Sequence, residues 1–101
     1  MATVETIGAR IKRERLALQM TQRQLAEEVD VGVPHISKVE ADRENPSDDL
    51  IHRLAKVFGA DPDELLLVAR RLPEAIIEDL ATDPARAIAF LRKWPAIGGE
   101  R

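Results

Sequence analysis

The chain has 101 residues, 45% of them hydrophobic and 33% charged, with a formal net charge of −3. That length holds one domain, or one small domain with an appendage, and the balance excludes wholesale disorder. With no cysteine there is no disulfide framework, zinc–thiolate site or thiol chemistry; with no long apolar run and no apolar leader, neither a membrane span nor a signal peptide is expected, and the expected compartment is the cytoplasm.

The first helix is expected from about Thr3 to Leu18, with Val4, Ile7, Ile11 and Leu18 on one face. Arg15 lies four residues after Ile11, in the middle of that apolar face. A second helix begins at Thr21, where Thr21 and Gln24 form a capping box; Leu25, Ala26 and Val29 are its buried stripe. Asp30, Val31 and Gly32 make a short turn. A third helix starts at Val33 or Pro34, with Ile36, Val39 and Glu40 inward and Val33, His35, Ser37 and Lys38 outward or at its exposed start.

Residues 41–46 read as a polar loop. Ser47 caps a fourth helix whose core face is Leu50, Ile51, Leu54, Ala55 and Phe58, and Gly59 suits the left-handed position after it. Asp61 caps a fifth helix, Pro62 to about Arg71, with Leu65, Leu66 and Val68 apolar. Prolines 62, 73, 84 and 95 recur every 11 residues and mark successive short helices. Two more are expected at about 73–81, striped by Ile76, Ile77 and Leu80, and at 84–94, striped by Ile88, Phe90, Leu91 and Trp94. Pro95 ends the last, and the Gly-rich tail 96–101 is expected to fray. No stretch alternates with period two, so the expected fold is all-α.

Charge is unevenly distributed. An acidic total is not typical of a nucleic-acid binder. Yet Arg10, Lys12, Arg13, Arg15 and Arg23 face only Glu14 in residues 10–23, a local +4, and one basic face can meet phosphate. The acids collect elsewhere, at Glu27, Glu28, Asp30, Asp48, Asp49, Asp61, Asp63 and Glu64. His35 and His52 lack partners at ligand spacing, so no metal or cofactor is expected. There is no Gly-rich phosphate loop and no Ser/His/Asp constellation, so an enzyme is not expected.

The stretch Thr21–Glu40 reads as helix, tight turn, helix, with a polar outer face on the second member. The wider string is Ile7-Gly8-x-Arg10-Ile11-x-x-x-Arg15, Thr21-Gln22-x-x-Leu25-Ala26 and Val31-x-Val33-x-x-Ile36-Ser37-x-Val39-Glu40. It continues through Arg43-x-Asn45-Pro46-Ser47, Leu50-x-x-x-Leu54-Ala55, Phe58-Gly59 and Asp61-x-Asp63-Glu64-Leu65-Leu66. In this it resembles the xenobiotic-response-element (Cro/phage-repressor-like) family of helix-turn-helix DNA-binding domains. The resemblance covers residues 7–66. It implies a five-helix, lambda-repressor-like DNA-binding domain at 1–67, followed by a C-terminal helical extension at 68–101.

The resemblance further implies an ion pair between Arg15 and Glu40, which a buried charge requires in any case. It implies that Gln22, with Thr21 and Arg23 beside it, meets the DNA and buttresses the third helix. Val33, Pro34 and Lys38 fall where relatives read bases, and His35 and Ser37 can reach phosphate or a base edge. Val33 and Pro34 depart from the usual polar readers; apolar groups touch a thymine methyl but cannot discriminate bidentately. Arg43 and Asn45 fall where the loop meets phosphate, and Arg10 and Arg13 can add backbone contacts.

Two short helices cannot bury Ile76, Ile77, Leu80, Ile88, Phe90, Leu91 and Trp94 by themselves. The expectation is a homodimer interface, with Phe90 and Trp94 as anchors. Thus the expected protein is a nucleoid-associated dimeric autorepressor on a palindromic double-stranded operator. Some repressors of this build are inactivated when a partner zinc metallopeptidase cuts the C-terminal module. An alternative is an antitoxin whose C-terminal helices block a partner toxin. Another is an all-α interaction module without DNA binding, which the acidic balance and Val33-Pro34 would suit.

Overall fold

The structure, a computed structural model, describes residues 4–94. Among them are seven helices and no strand: α1 (Ile7–Ala17), α2 (Gln22–Glu28), α3 (Val33–Glu40), α4 (Asp48–Phe58), α5 (Pro62–Val68), α6 (Glu74–Ala81) and α7 (Pro84–Arg92). No described helix is long and apolar enough to cross a membrane. The tail 96–101 lies outside the described residues. Contacts divide the chain into Glu5–Arg71 and a second unit whose described helices follow Leu72.

Hydroxyl and carboxylate caps start four of the five helices of the first unit, α3 excepted. Thr21, Ser47 and Asp61 each accept a backbone N–H of the helix that follows, satisfying a donor the helix cannot. The first helix departs from expectation. It begins at Ile7, not Thr3, because Thr6 Oγ1 accepts from Ala9 N at 3.1 Å and closes the helix there. Val4 therefore lies before α1 and is 69% exposed, and Leu18 is an exposed C-cap rather than part of the core face.

The five helices α1–α5 end alike. Residues Gln19, Asp30, Asp42, Gly59 and Arg70 each take a left-handed φ of 56–67°. The next residue then donates back five positions, as Met20 N to Arg15 O, Val31 N to Ala26 O, Arg43 N to Lys38 O, Ala60 N to Ala55 O and Arg71 N to Leu66 O. This is the Schellman closure, which satisfies carbonyls left over at the helix end. Only Gly59 adopts it without Cβ crowding. The same closure ends α5 at Val68, short of the expected Arg71.

The core takes Ile7 and Ile11 from α1, Leu25 and Ala26 from α2, and Ile36 and Val39 from α3. Val29 just after α2, Leu50, Ile51, Leu54 and Ala55 of α4 and Leu65 and Leu66 of α5 complete it. Each large aliphatic chain so buried contributes about 1.5–3 kcal/mol. Phe58 is only half-buried against this cluster.

One close approach fixes how α1 lies on α3. A Cβ on buried Gly8 would fall 2.5 Å from Val39 O and 2.7 Å from Glu40 O. Asp42 then binds the start of α1, accepting from Thr6 Oγ1 at 2.7 Å and from Gly8 N at 3.0 Å. Gly8→Ala is therefore expected to destabilise the unit by about 2–3 kcal/mol, since backbone must move to admit the methyl. Urea unfolding reads this as a lowered midpoint at constant m; an unchanged midpoint would contradict the packing.

In the second unit Asp83 caps α7, its Oδ1 accepting from Arg86 N at 3.2 Å, whereas Pro73 at the start of α6 offers no side-chain cap. Neither helix has a buried residue. Leu72, Ile77, Leu80, Pro84, Ile88 and Leu91 line an apolar crevice of about 240 Å³. The rings of Phe90 and Trp94 lie 6.0 Å apart and tilted, both about half exposed.

Candidate nucleic-acid interface

Arg15 comes from the apolar face of α1 and Glu40 from the end of α3, 7% and 8% exposed. They meet side-on: Nε donates to Oε2 at 2.7 Å and Nη2 to Oε1 at 3.0 Å. Arg15 Nη1 donates to Met20 O at 2.8 Å, and Gln22 Nε2 donates to Glu40 Oε1 at 3.1 Å. The hydrogen bond that Arg15 donates to Glu40 holds the guanidinium pKa above its ordinary value, against the opposing effect of burial. This cluster ties α1, the start of α2 and the end of α3 into one rigid frame. No buried side-chain polar atom among the described residues lacks a partner.

The frame sets the pose of α3. Thr21 is occupied in its capping box, accepting from Gln24 N at 3.0 Å while its own N–H goes to Gln24 Oε1 at 2.8 Å. Gln22 turns its amide nitrogen inward to Glu40, so that group works as a buttress. Beyond the turn, Gly32 stands at the α3 N-cap with no side-chain cap and Pro34 follows in the first turn.

The expected readers separate into three groups. Pro34, Ser37 and Lys38 are exposed on the outer face of α3. Val33 is half-buried and packed against the core, so much of its side chain is withdrawn from the surface. His35 is half-buried, with Nδ1 2.6 Å from Glu44 Oε2. Arg23, Arg43 and Asn45 are exposed, and neither Arg23 nor Arg43 is ion-paired with a described residue.

The basic run at 10–23 is less open than its composition suggests. Arg10 pairs with Glu14 at 2.8 Å, Arg13 takes both oxygens of Glu5 at 2.9 Å, and Arg15 is spent on Glu40. Lys12 and Arg23 remain without an ion pair among the described residues. The Arg10–Glu14 pair was readable from its i, i+4 spacing; Arg13–Glu5 needed the chain direction before α1. Sequence reasoning also missed Glu44, whose carboxylate reaches two of the expected readers. Among the described residues no three His, Asp or Glu side chains gather as a metal site would need.

A helix-turn-helix family model matches residues 11–65, more than half of the chain. The chain belongs to the helix-turn-helix family. It is a DNA-binding transcriptional regulator of that type: α1–α5 are its lambda-repressor-like domain and α6–α7 follow. The crystal structure of the clp gene regulator ClgR from Corynebacterium glutamicum is similar in fold, with a TM-score of 0.56 at 24% identity over 88% of each chain. No curated protein matches. In this helix-turn-helix chain α6 and α7 lie beyond the matched family segment.

Proposed function

We propose that this regulator is a dimeric autorepressor that binds a palindromic operator through α3. The observation that carries the reading is the Arg15–Glu40–Gln22 frame beneath an α3 whose outer face leaves Pro34, Ser37 and Lys38 exposed. An α-helix fits a major groove about 12 Å wide. Arg23 and Arg43, without an ion pair among the described residues, suit phosphates, and Asn45 is exposed in the same loop as Arg43.

The second unit supports the dimer. Ile76, Ile77, Ile88, Phe90, Leu91 and Trp94 are 39–53% exposed, and a second copy would bury them. Charge favours that occupant. Glu78 and Asp79 stand in the last turn of α6 and Arg86 in the first turn of α7, each opposed to its own helix dipole. None is ion-paired among the described residues. In a two-fold interface residue i meets j and j meets i, so α6 of one copy against α7 of the other matches acid to base twice. Two recognition helices then address two half-sites one turn apart.

The test is a titration against duplex from the chain's own upstream region, with a scrambled duplex as control, at several salt concentrations. The native duplex is expected to bind more tightly. Arg23→Ala with Arg43→Ala is expected to weaken both duplexes alike and to flatten the log–log salt slope by about 1.8 for each protomer bound, two phosphate contacts' worth per half-site. Equal, weak binding to both duplexes would contradict the repressor reading. A stoichiometric protein partner on α6–α7 would favour an antitoxin or a peptidase target instead.

A further inference from the structure

Glu44 stands among the groups expected to meet DNA and carries the wrong charge for phosphate. One oxygen lies 2.6 Å from His35 Nδ1 and the other 3.6 Å from Lys38 Nζ. The backbone aims it there. Asp42 is left-handed and Arg43 N donates to Lys38 O at 2.9 Å, so the loop folds back against the end of α3. A carboxylate accepts and cannot donate, so Nδ1 is the donor in this contact. His35 lies in the first turn of α3, the end of a recognition helix that reaches base edges.

Binding to DNA of arbitrary sequence is phosphate neutralisation by Lys and Arg. Here Lys38 already faces an anion of the chain's own, and that anion repels the phosphate that would replace it. We propose that Glu44 is a specificity-determining residue: it holds Lys38 and His35 away from the phosphate backbone and so suppresses binding to arbitrary duplex. The inference rests on the DNA-binding reading above. At a preferred site base contacts offset the cost of parting the pair; elsewhere nothing does. Discrimination widens because a repulsive element acts against the wrong partner.

The experiment uses the full chain and a fluorescent duplex of mixed sequence at several salt concentrations. Glu44→Gln keeps the shape and removes the charge, and an exposed pair of this kind adds little to stability. The variant is expected to bind about three- to fivefold more tightly, with a salt slope steeper by about 0.9 for each protomer bound, one more phosphate neutralised by each copy. The gain is expected to disappear when Lys38→Ala and His35→Ala are already present. A gain that survives both overturns the inference, because general charge would then explain it. Unchanged affinity while the unmodified chain binds duplex overturns the inference alone. No binding by either form overturns it together with the DNA-binding reading.

Discussion

Glu40→Ala is expected to lower the stability of the first unit by about 3–5 kcal/mol, because it strands a buried guanidinium. Arg15 keeps only Met20 O as a partner, and Gln22 loses its acceptor on α3. A small domain has about 5–15 kcal/mol in total, so the variant sits near its unfolding threshold. Urea unfolding at neutral pH measures the change. Arg15→Met with Glu40→Leu is expected to recover most of it, since an apolar pair of similar size removes both charges from the core. Yet that double variant has no carboxylate to receive Gln22, so the start of α2 loses its tie to the end of α3. Recovered stability with weakened DNA binding would separate the clamp's two roles. A loss below about 1 kcal/mol for Glu40→Ala would mean that water reaches the pair, contrary to its burial.

Leu91→Ala with Trp94→Ala is expected to leave a monomer at micromolar concentration. Affinity for a duplex with two half-sites should then fall about 10²–10⁴-fold, because the second contact is no longer intramolecular. Affinity for a single half-site should stay as it was, since neither residue belongs to the α2–α3 surface. Analytical ultracentrifugation reads the first effect and titration of the two duplexes the second. The charge pattern sharpens the expectation. Glu78→Lys with Asp79→Lys should weaken the dimer, and adding Arg86→Glu should restore it if α6 faces α7 of the partner. A double alanine variant that still sediments as a dimer would move the interface elsewhere.

The local layer of this protein was legible in its residues. The Thr21–Gln24 capping box, the Ser47 and Asp61 caps and the left-handed Gly59 all depend on neighbours within one helical turn. So do the apolar stripes of α2, α3 and α4, whose period of 3.6 residues shows which side faces the core. The frame at Arg15 and Glu40 was visible for a related reason: a charge at an apolar position needs an opposite charge, and a family pattern supplied its address.

What escaped the sequence shares a different physics. Four helix ends use Gln19, Asp30, Asp42 and Arg70 in a conformation for which glycine is the usual sign. Asp42 illustrates what can support it, since its carboxylate binds Thr6 and Gly8, residues 36 and 34 positions away. The start of α1 moved for a related reason: Thr6, which caps it, is itself held by Asp42 from 36 positions away. At the surface proposed to face DNA, composition counted charges while the fold decided which were ion-paired. Arg13 went to Glu5, Lys38 and His35 to Glu44, and Val33 partly to the core. Periodicity and capping are energies of adjacent residues, so one chain determines them alone. Which cation is neutralised and which side chain is covered depends on contacts between distant segments, and those exist only once the helices have packed.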